Sequence, residues 1–342
     1  MSERTFYGGQ AVIEGVMMRG PRYFAVACRR ANGEIVVKQE AVPLFFTRFV
    51  WARWPFLRGV FALLDTLGLG MKSLLYSAEL ARDADDEGMP AEDISLRNGA
   101  DPGGQEDAYQ VCPTARRGCN RDGEQRSISS LAISGSAAIG LGLGIFLFVL
   151  LPHLLTRGLQ PIVSRPLALN LIEGAVRVAI ALGYIWGIAR MKRVQRLFQY
   201  HGAEHQAINA WEQEGSLDLQ VAARQSRIHP RCGTNFLLTV LIVKVLIYPF
   251  FGWPPLLVGF ALRLALLPVV AALSFEVIRL AGQHRDCRPL QWLVAPGLLT
   301  QRLTTREPDL DMLEVSLRAL RSVIEQEEAV HRSDIAPAPT MS

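Results

Sequence analysis

The sequence contains no charged residue between Leu131 and Leu151. At about 1.5 Å per residue, a helix of this length can cross a hydrocarbon core about 30 Å thick. The apolar content of the whole chain, 50%, would also suit a soluble protein, so the prediction depends on the local absence of charge. This stretch is therefore predicted to span a membrane.

The sequence also has few cysteines and lacks the features of a secreted protein. Its start, MSERTFYGGQ, has no basic start or apolar core of a signal peptide, so we expect the first part of the chain to stay in the cytoplasm. Cysteines that are odd in number and widely scattered favour reduced thiols over a disulfide framework. They are Cys28, Cys112, Cys119, Cys232 and Cys287.

Four apolar stretches predict an all-α polytopic membrane domain over residues 131–281. After the first stretch, the expected spans are about Leu167–Ala189, Asn235–Phe251 and Leu256–Phe275. Lysine and arginine are concentrated in the intervening loop, 190–235, which the positive-inside rule places in the cytoplasm together with both termini. The net charge of +4 is explained by this orientation signal, and we do not expect nucleic-acid binding.

Residues 1–81 are predicted to form a separate N-terminal part. The runs Tyr23–Arg29 and Glu34–Val42 flank an Asn-Gly pair, which predicts a small β-hairpin. The preceding motif, YGGQAVIEGVMMRGP, has a glycine spacing that indicates turns or close backbone packing. Apolar residues at helical spacing over 56–80 predict an amphipathic helix lying on the membrane or against other helices, and a fifth crossing is the alternative.

The remaining segments are predicted to lie outside the membrane domain. Residues 82–130 are acidic, then basic, and poor in apolar periodicity, so they are predicted to be a disordered linker with free thiols at Cys112 and Cys119. Residues 282–342 form a C-terminal cytoplasmic segment. It contains an amphipathic helix predicted from Pro308 to about His331.

The strongest chemical motif is H-x-x-E-H, in RLFQYHGAEHQAINAWE. On a helix, His201 and His205 lie one turn apart on one face, with Glu204 beside them. Two ring nitrogens so placed can bind a zinc-sized ion, and the carboxylate can take a proton from water that the ion activates. The same pattern occurs in inverted-motif zinc peptidases. The alternative is that these histidines only form hydrogen bonds at the membrane interface.

Further ligands are available in RIHPRCGTNF, just before the third predicted span. His229 and Cys232 return to the same membrane face and can bind the ion if this turn folds onto the helix that carries His201. Cys232 is equally well explained as a small buried thiol. The expected cofactor is a divalent metal ion, zinc by its ligand preference, bound by His201, His205, His229 and Cys232.

The chain resembles the YqhQ-like bacterial membrane proteins, a domain of unknown function described as predicted metal-dependent enzymes. The resemblance rests on GGQAVIEGVMMRGP, WPFLRG, YHGAEHQAINAWE, HPRCGTNF, LPVVAALSFEVIRLAG and APGLLTQRLTTREPD. It implies a bacterial plasma (inner) membrane location, supports metal binding and supplies no substrate. It also draws attention to further polar residues in matching motifs, namely Glu14, Arg19, Arg302, Thr304, Thr305, Arg306 and Glu307.

Three classes of function fit these features. The first is a membrane-embedded metal-dependent hydrolase, with Glu204 as base and a lipid-linked or peptide substrate. The second is a non-catalytic scaffold or sensor, in which all four ligands close a structural site. The third is a transporter, which the charged residues within the spans suggest. Because four helices leave little room for a pathway, the protein would then have to oligomerise.

Overall fold

The computed structural model describes residues 7–42, 57–86, 130–284 and 287–335. The predicted linker falls almost entirely on residues 87–129, which lie outside the described residues, as do Cys112 and Cys119. Within the described ranges the chain is mostly helical, with a small antiparallel sheet at its N-terminal end. The predicted metal ligands therefore lie on helices or in the turns between them.

The sheet has four strands, twice the number in the predicted hairpin. The strands are Gly8–Val12 (β1), Gly15–Arg19 (β2), Tyr23–Arg29 (β3) and Ile35–Ala41 (β4), in the order β1-β2-β3-β4. The prediction missed β1 and β2 because their glycines resemble turn signals. A Cβ on Gly15 would lie 2.1 Å from the carbonyl oxygen of Ala27 on β3, so glycine permits the close strand packing here.

Helices on both faces cover the sheet. The helices are α1 (Leu57–Asp86), α2 (Ser130–Ile145), α3 (Leu151–Arg157), α4 (Pro166–Ile188), α5 (Lys192–Glu214), α6 (Leu219–Ala223), α7 (Gly233–Ile247), α8 (Leu256–Gln283), α9 (Arg288–Thr304) and α10 (Leu310–Ile335). A π-helical turn, Phe146–Leu150, joins α2 to α3, and a 3-10 turn, Tyr248–Phe251, follows α7. The C-terminal helix thus starts two residues after the predicted Pro308 and ends four after the predicted His331.

Alternating strand residues divide the sheet into two buried faces. One face, with Val16 and Met18, packs on α5 and α10, and the other, with Met17 and Val26, packs on Leu69 of α1. We call the sheet with α5, α6 and α10 the cap. The cap is assembled from the N-terminal, loop and C-terminal segments of the sequence, which burial of a shared apolar core holds together.

The part of the chain that the structure describes contains five helices long and apolar enough to cross a membrane. Four of them, Ala138–Arg157, Pro166–Ile188, Gly233–Phe251 and Leu257–Ala281, correspond to the predicted spans. The fifth is Gly59–Arg82, so the predicted number of four is too low by this measure. The first span ends at Arg157, six residues after the predicted Leu151, and α2 already includes the predicted start at Leu131.

Helix α1 packs on the cap along one side. Leu69 is buried under the sheet, and the hydroxyl of Ser77 accepts a hydrogen bond of 3.2 Å from the backbone N–H of Ile13. A Cβ on Gly70 would lie 2.2 Å from Oε1 of Gln10, so the helix and β1 are in close contact. The opposite side exposes a row of large apolar residues, Leu63, Leu64, Leu67, Met71, Leu74 and Leu75.

Candidate metal centre

Helix α5 carries the H-x-x-E-H motif between the cap core and a loop. Its residues Tyr200, Ala203, Ala207 and Ile208 are buried against the sheet and α10, which fixes the orientation of the helix. The helix ends at Gly215, whose φ of 65° permits the left-handed turn that stops it. The polar face of α5 is consequently turned towards residues 225–232.

Hydrogen bonds fasten that loop to α5. The side-chain amide of Asn209 donates to the carbonyl oxygens of Ser226 and Ile228, at 2.6 and 3.2 Å, and the amide of Gln206 donates to that of Gln225 at 3.1 Å. The loop thus folds onto the helix that carries His201, which the sequence analysis required for a shared site.

Both motif histidines are oriented by backbone carbonyl groups. His201 Nδ1 lies 2.9 Å from the carbonyl oxygen of Thr304, and His205 Nδ1 lies 2.6 Å from that of Arg227. Because a carbonyl oxygen only accepts, both Nδ1 atoms donate, and in the neutral form of each ring Nε2 carries the lone pair. This arrangement is the one that metal-binding histidines use to fix their tautomer and ring direction.

Cys232 completes a three-residue cluster. It caps the N-terminus of α7, where its sulfur accepts a hydrogen bond from the backbone N–H of Thr234, and its Sγ lies 3.2 Å from His201 Nε2. The candidate ligand atoms of His201, His205 and Cys232 all lie within 4.8 Å of one another. Bonds of about 2.0–2.3 Å separate the ligands of a tetrahedral ion by about 3.3–3.8 Å, so small shifts of these side chains would satisfy one ion.

The chemistry of the cluster fits a metal ion. His205 Nε2 is buried and has no hydrogen-bond partner among the described residues. A buried nitrogen lone pair without a partner is costly, and a cation is the ligand that this lone pair and the Cys232 sulfur would share. A borderline-soft ion such as zinc matches a set of two imidazoles and one thiol.

His229 lies beside the cluster and is not part of it. Its ring centre is 5.8 Å from that of His205, and its Nε2 is 3.5 Å from Oε2 of Glu212. Burial lowers the pKa of His229, and hydrogen bonding to Glu212 opposes this effect. The nearby Arg231 and His229 hold the pKa of Glu212 below its ordinary value against the effect of burial.

The side chain of Glu204 lies against Gly9 of β1. A Cβ on Gly9 would lie 2.8 Å from Glu204 Cγ, and the backbone N–H of Gly9 donates to the Glu204 carboxylate. Burial raises the pKa of Glu204 to about 7, and the nearby His201 and the Gly9 hydrogen bond act in the opposite direction. Its carboxylate is not among the three groups whose ligand atoms cluster.

The glycine-rich motif near the N-terminus contacts the same helix. Glu14 has a φ of 51°, an uncommon value for a residue with a side chain, and its carboxylate pairs with Arg196 and lies 3.4 Å from the hydroxyl of Tyr200. This contact fixes the turn of α5 just before His201. Arg19 has a separate contact, in which its guanidinium donates to the hydroxyl of Thr66 at 3.4 Å.

Sequence reasoning missed the supporting role of Gln301 on α9. Gln301 is fully buried, and its side chain exchanges two hydrogen bonds of 2.8 Å with the backbone of His229. The following residues continue this support, since the Thr304 carbonyl holds His201 and Arg306 N–H donates to the carbonyl of Phe198 at 2.9 Å. Any residue type can provide these backbone contacts, so the sequence does not reveal them. The polar composition of QRLTTRE was the only indication that this segment has a role in the site.

Comparison with known proteins identifies the family. Residues 54–326 match the family described as "Protein of unknown function (DUF1385)". The chain is also 33% identical over 332 residues to "Uncharacterized protein YqhQ" of Bacillus subtilis (strain 168), covering 94% of this chain and 93% of the relative. The chain belongs to this family. The resemblance inferred from the motifs is thereby confirmed, and no solved structure matches the chain.

Proposed function

We propose that this protein is a metal-dependent enzyme of the hydrolase type, embedded in the bacterial plasma membrane with its site at the cytoplasmic face. The observation that supports this most directly is the cluster of two imidazole Nε2 atoms and one sulfur, with both Nδ1 atoms held by carbonyl groups. Catalytic zinc sites keep three protein ligands and one open position, whereas structural sites are closed by four.

Each residue of the cluster has a defined part in this proposal. His201, His205 and Cys232 hold the ion, and the carbonyls of Thr304 and Arg227 keep the two rings in place. A divalent ion held there supplies a polarised, more acidic water molecule. Glu204, on the adjacent side of the same helical turn as His201, is the proposed proton acceptor, and a lipid-linked or peptide bond is the proposed substrate.

The test combines metal analysis with cobalt substitution in the purified protein. We expect one metal ion per chain, its loss in His205→Ala and Cys232→Ser, and its retention in the control His331→Ala, an exposed residue of α10. In the cobalt-loaded protein, azide should change the visible spectrum because one coordination position is open. Absence of stoichiometric metal would overturn the proposal.

A structural metal site is the second candidate, and the position of His229 favours it. The buried Nε2 of His229 has no hydrogen bond of good geometry among the described residues, so a small rotation could make it a fourth ligand. A cobalt spectrum insensitive to azide that becomes sensitive in His229→Ala would support this closed site.

The role of Glu204 as proton acceptor has its own test. If the protein is an enzyme, the variant Glu204→Gln should retain metal and lose hydrolytic activity. The exposed Glu214→Gln on the same helix is the control.

The proposal includes four membrane crossings, with α1 on the cytoplasmic surface. One side of α1 is covered by the cap, while Leu67 and Met71 on the other side are exposed, which suits a helix lying in the interface. A reporter inserted near residue 105 should therefore be cytoplasmic. An extracytoplasmic reporter would overturn this topology.

A further inference from the structure

An arginine-lined cleft opens next to the metal ligands. It has a volume of about 360 Å³ and lies between the end of α4, the loop before α7 and the segment that includes the end of α9. Four arginines line it, and they come from three separate parts of the chain: Arg190, Arg227, Arg302 and Arg306. We call it the arginine cleft.

Positive charge in the arginine cleft exceeds the negative charge available to neutralise it. Arg227 lies 3.4 Å from a carboxylate oxygen of Glu307, and Arg306 donates to the carbonyl oxygen of Ala189 at 3.2 Å. Arg190 stacks on the ring of Trp186 at 3.3 Å, and neither Arg190 nor Arg302 forms an ion pair with the residues that the structure describes. The positive-inside rule explains basic residues on this face, but not their convergence on one cleft.

The walls of the arginine cleft also position the metal ligands. Arg227 contributes its side chain to the cleft and its carbonyl oxygen to His205 Nδ1. The carbonyl oxygen of Thr304, next to the cleft residue Thr305, accepts from His201 Nδ1. A Cβ on Gly202 would lie 2.1 Å from the carbonyl oxygen of Arg306, so the cleft segment is in direct contact with the helix between the two histidines.

Residue types that are common at the membrane interface border the arginine cleft. Trp186 is near the last turn of the apolar helix Pro166–Ile188, and its side chain is exposed. Trp292, Leu299 and Leu303 are exposed on one face of α9, and Leu303 also lines the cleft. Aromatic and apolar groups beside basic groups are typical of the membrane interface.

We propose that the arginine cleft binds the phosphate group of an anionic amphiphile in the adjacent leaflet and holds it beside the metal site. Guanidinium groups bind phosphate through paired, charge-assisted hydrogen bonds, and a cleft with several of them selects an anion over a neutral headgroup. Trp186 and Leu303 supply the apolar surface that an acyl chain requires and a free phosphate does not. The role of this amphiphile as substrate rests on the proposed function; its binding does not.

The test compares two lipids that differ only in the phosphate group. Phosphatidic acid and diacylglycerol with the same acyl chains are titrated against the detergent-purified full-length protein, with bound lipid measured by native mass spectrometry. We expect phosphatidic acid to bind at least tenfold more tightly, and inorganic phosphate to compete only weakly. Equal binding of the two lipids, or equally strong competition by inorganic phosphate, would overturn the proposal.

Paired variants separate the arginine cleft from general electrostatic attraction. Arg190→Gln combined with Arg302→Gln should weaken phosphatidic acid binding at least tenfold. The control, Lys192→Gln combined with Arg193→Gln, removes the same charge from exposed positions at the start of α5 and should change binding less than twofold. Equal losses in both pairs would show attraction by surface charge alone and would overturn the proposal.

Metal content, measured in the same samples, distinguishes the two proposals. Both charge-removal pairs should keep the metal content of the parent protein, since none of the four residues supplies a proposed ligand atom. If the parent protein binds no metal but its phosphatidic acid binding depends on Arg190 and Arg302, the proposed function fails and the arginine cleft stands. If it binds metal but does not prefer phosphatidic acid, only the arginine cleft proposal fails.

Discussion

Two groups of polar side chains differ in whether other protein groups occupy all of their polar atoms. Among the apolar helices, Glu173 pairs with Arg177 through one carboxylate oxygen and with Arg263 and His153 through the other, at 2.6, 2.6 and 3.1 Å. In the His/Cys cluster, by contrast, backbone carbonyl groups hold His201 and His205 through their Nδ1 atoms, and His205 Nε2 has no hydrogen-bond partner in the part of the chain that the structure describes.

This difference separates a structural role from a binding role. The carboxylate of Glu173 has both oxygens occupied by protein groups and connects α3, α4 and α8, so it is suited to holding helices together. A buried nitrogen without a hydrogen-bond partner destabilises the fold unless a ligand binds to it. We therefore expect substitutions in the Glu173 group to change stability, and substitutions around the His/Cys cluster to change metal binding.

The largest expected effect is on stability, at Glu173. Glu173→Ala leaves two guanidinium groups buried without their counter-charge, and we expect a loss of about 3–5 kcal/mol of stability. Thermal unfolding of the purified protein in detergent measures this loss. The control Glu34→Gln removes an exposed partner of Arg30 and should change stability by less than about 1 kcal/mol. A mild effect of Glu173→Ala would show that the group is not structural.

A smaller stability loss combined with a binding loss is expected at Gly202. Gly202→Ala places a Cβ against the carbonyl oxygen of Arg306 and displaces the segment that orients His201. We expect a loss of about 1–3 kcal/mol from overpacking and a metal affinity about 10–100-fold lower. Gly183→Ala is the control, because a Cβ there meets nothing within 4 Å. Unchanged metal affinity in Gly202→Ala would argue against the assigned ligands.

Gln301 separates the three-ligand site from the four-ligand site. Gln301→Ala removes both hydrogen bonds to the backbone of His229, and we expect a stability loss of about 1–3 kcal/mol. Metal affinity should change little if His229 is not a ligand. Isothermal titration with zinc measures the affinity, with the exposed Gln213→Ala as control. A large fall in affinity would support the closed structural site.

The smallest effect is on thiol reactivity, without a change of fold. Chelation should make Cys232 reactive towards maleimide, while burial raises the pKa of Cys28 to about 12 and keeps it unreactive near neutral pH with or without metal. Because the thiolate is the reacting form, labelling of Cys28 should rise only as the pH approaches that pKa. Mass-spectrometric mapping of labelled peptides checks both statements. Equal labelling of Cys232 before and after chelation would contradict metal binding by this thiol.

Periodicity and spacing gave the correct positions of local features. The apolar helices, the amphipathic helices and the helical H-x-x-E-H face all follow from short-range patterns. The same reasoning missed β1 and β2, because both contain glycines, which resemble turn signals in the sequence but in the fold allow close packing with β3 and with Glu204. A local pattern does not show which backbone will approach a glycine.

The sequence by itself determined that this chain has membrane-compatible helices and a pair of histidines one turn apart. Only the tertiary structure decided that Cys232 joins those histidines, that His229 turns to Glu212, and that four arginines from distant segments share one cleft. The physical reason is the range of the forces involved. Helix periodicity is set within a few residues, whereas a shared ligand site depends on core packing that brings α5, α7 and α9 together.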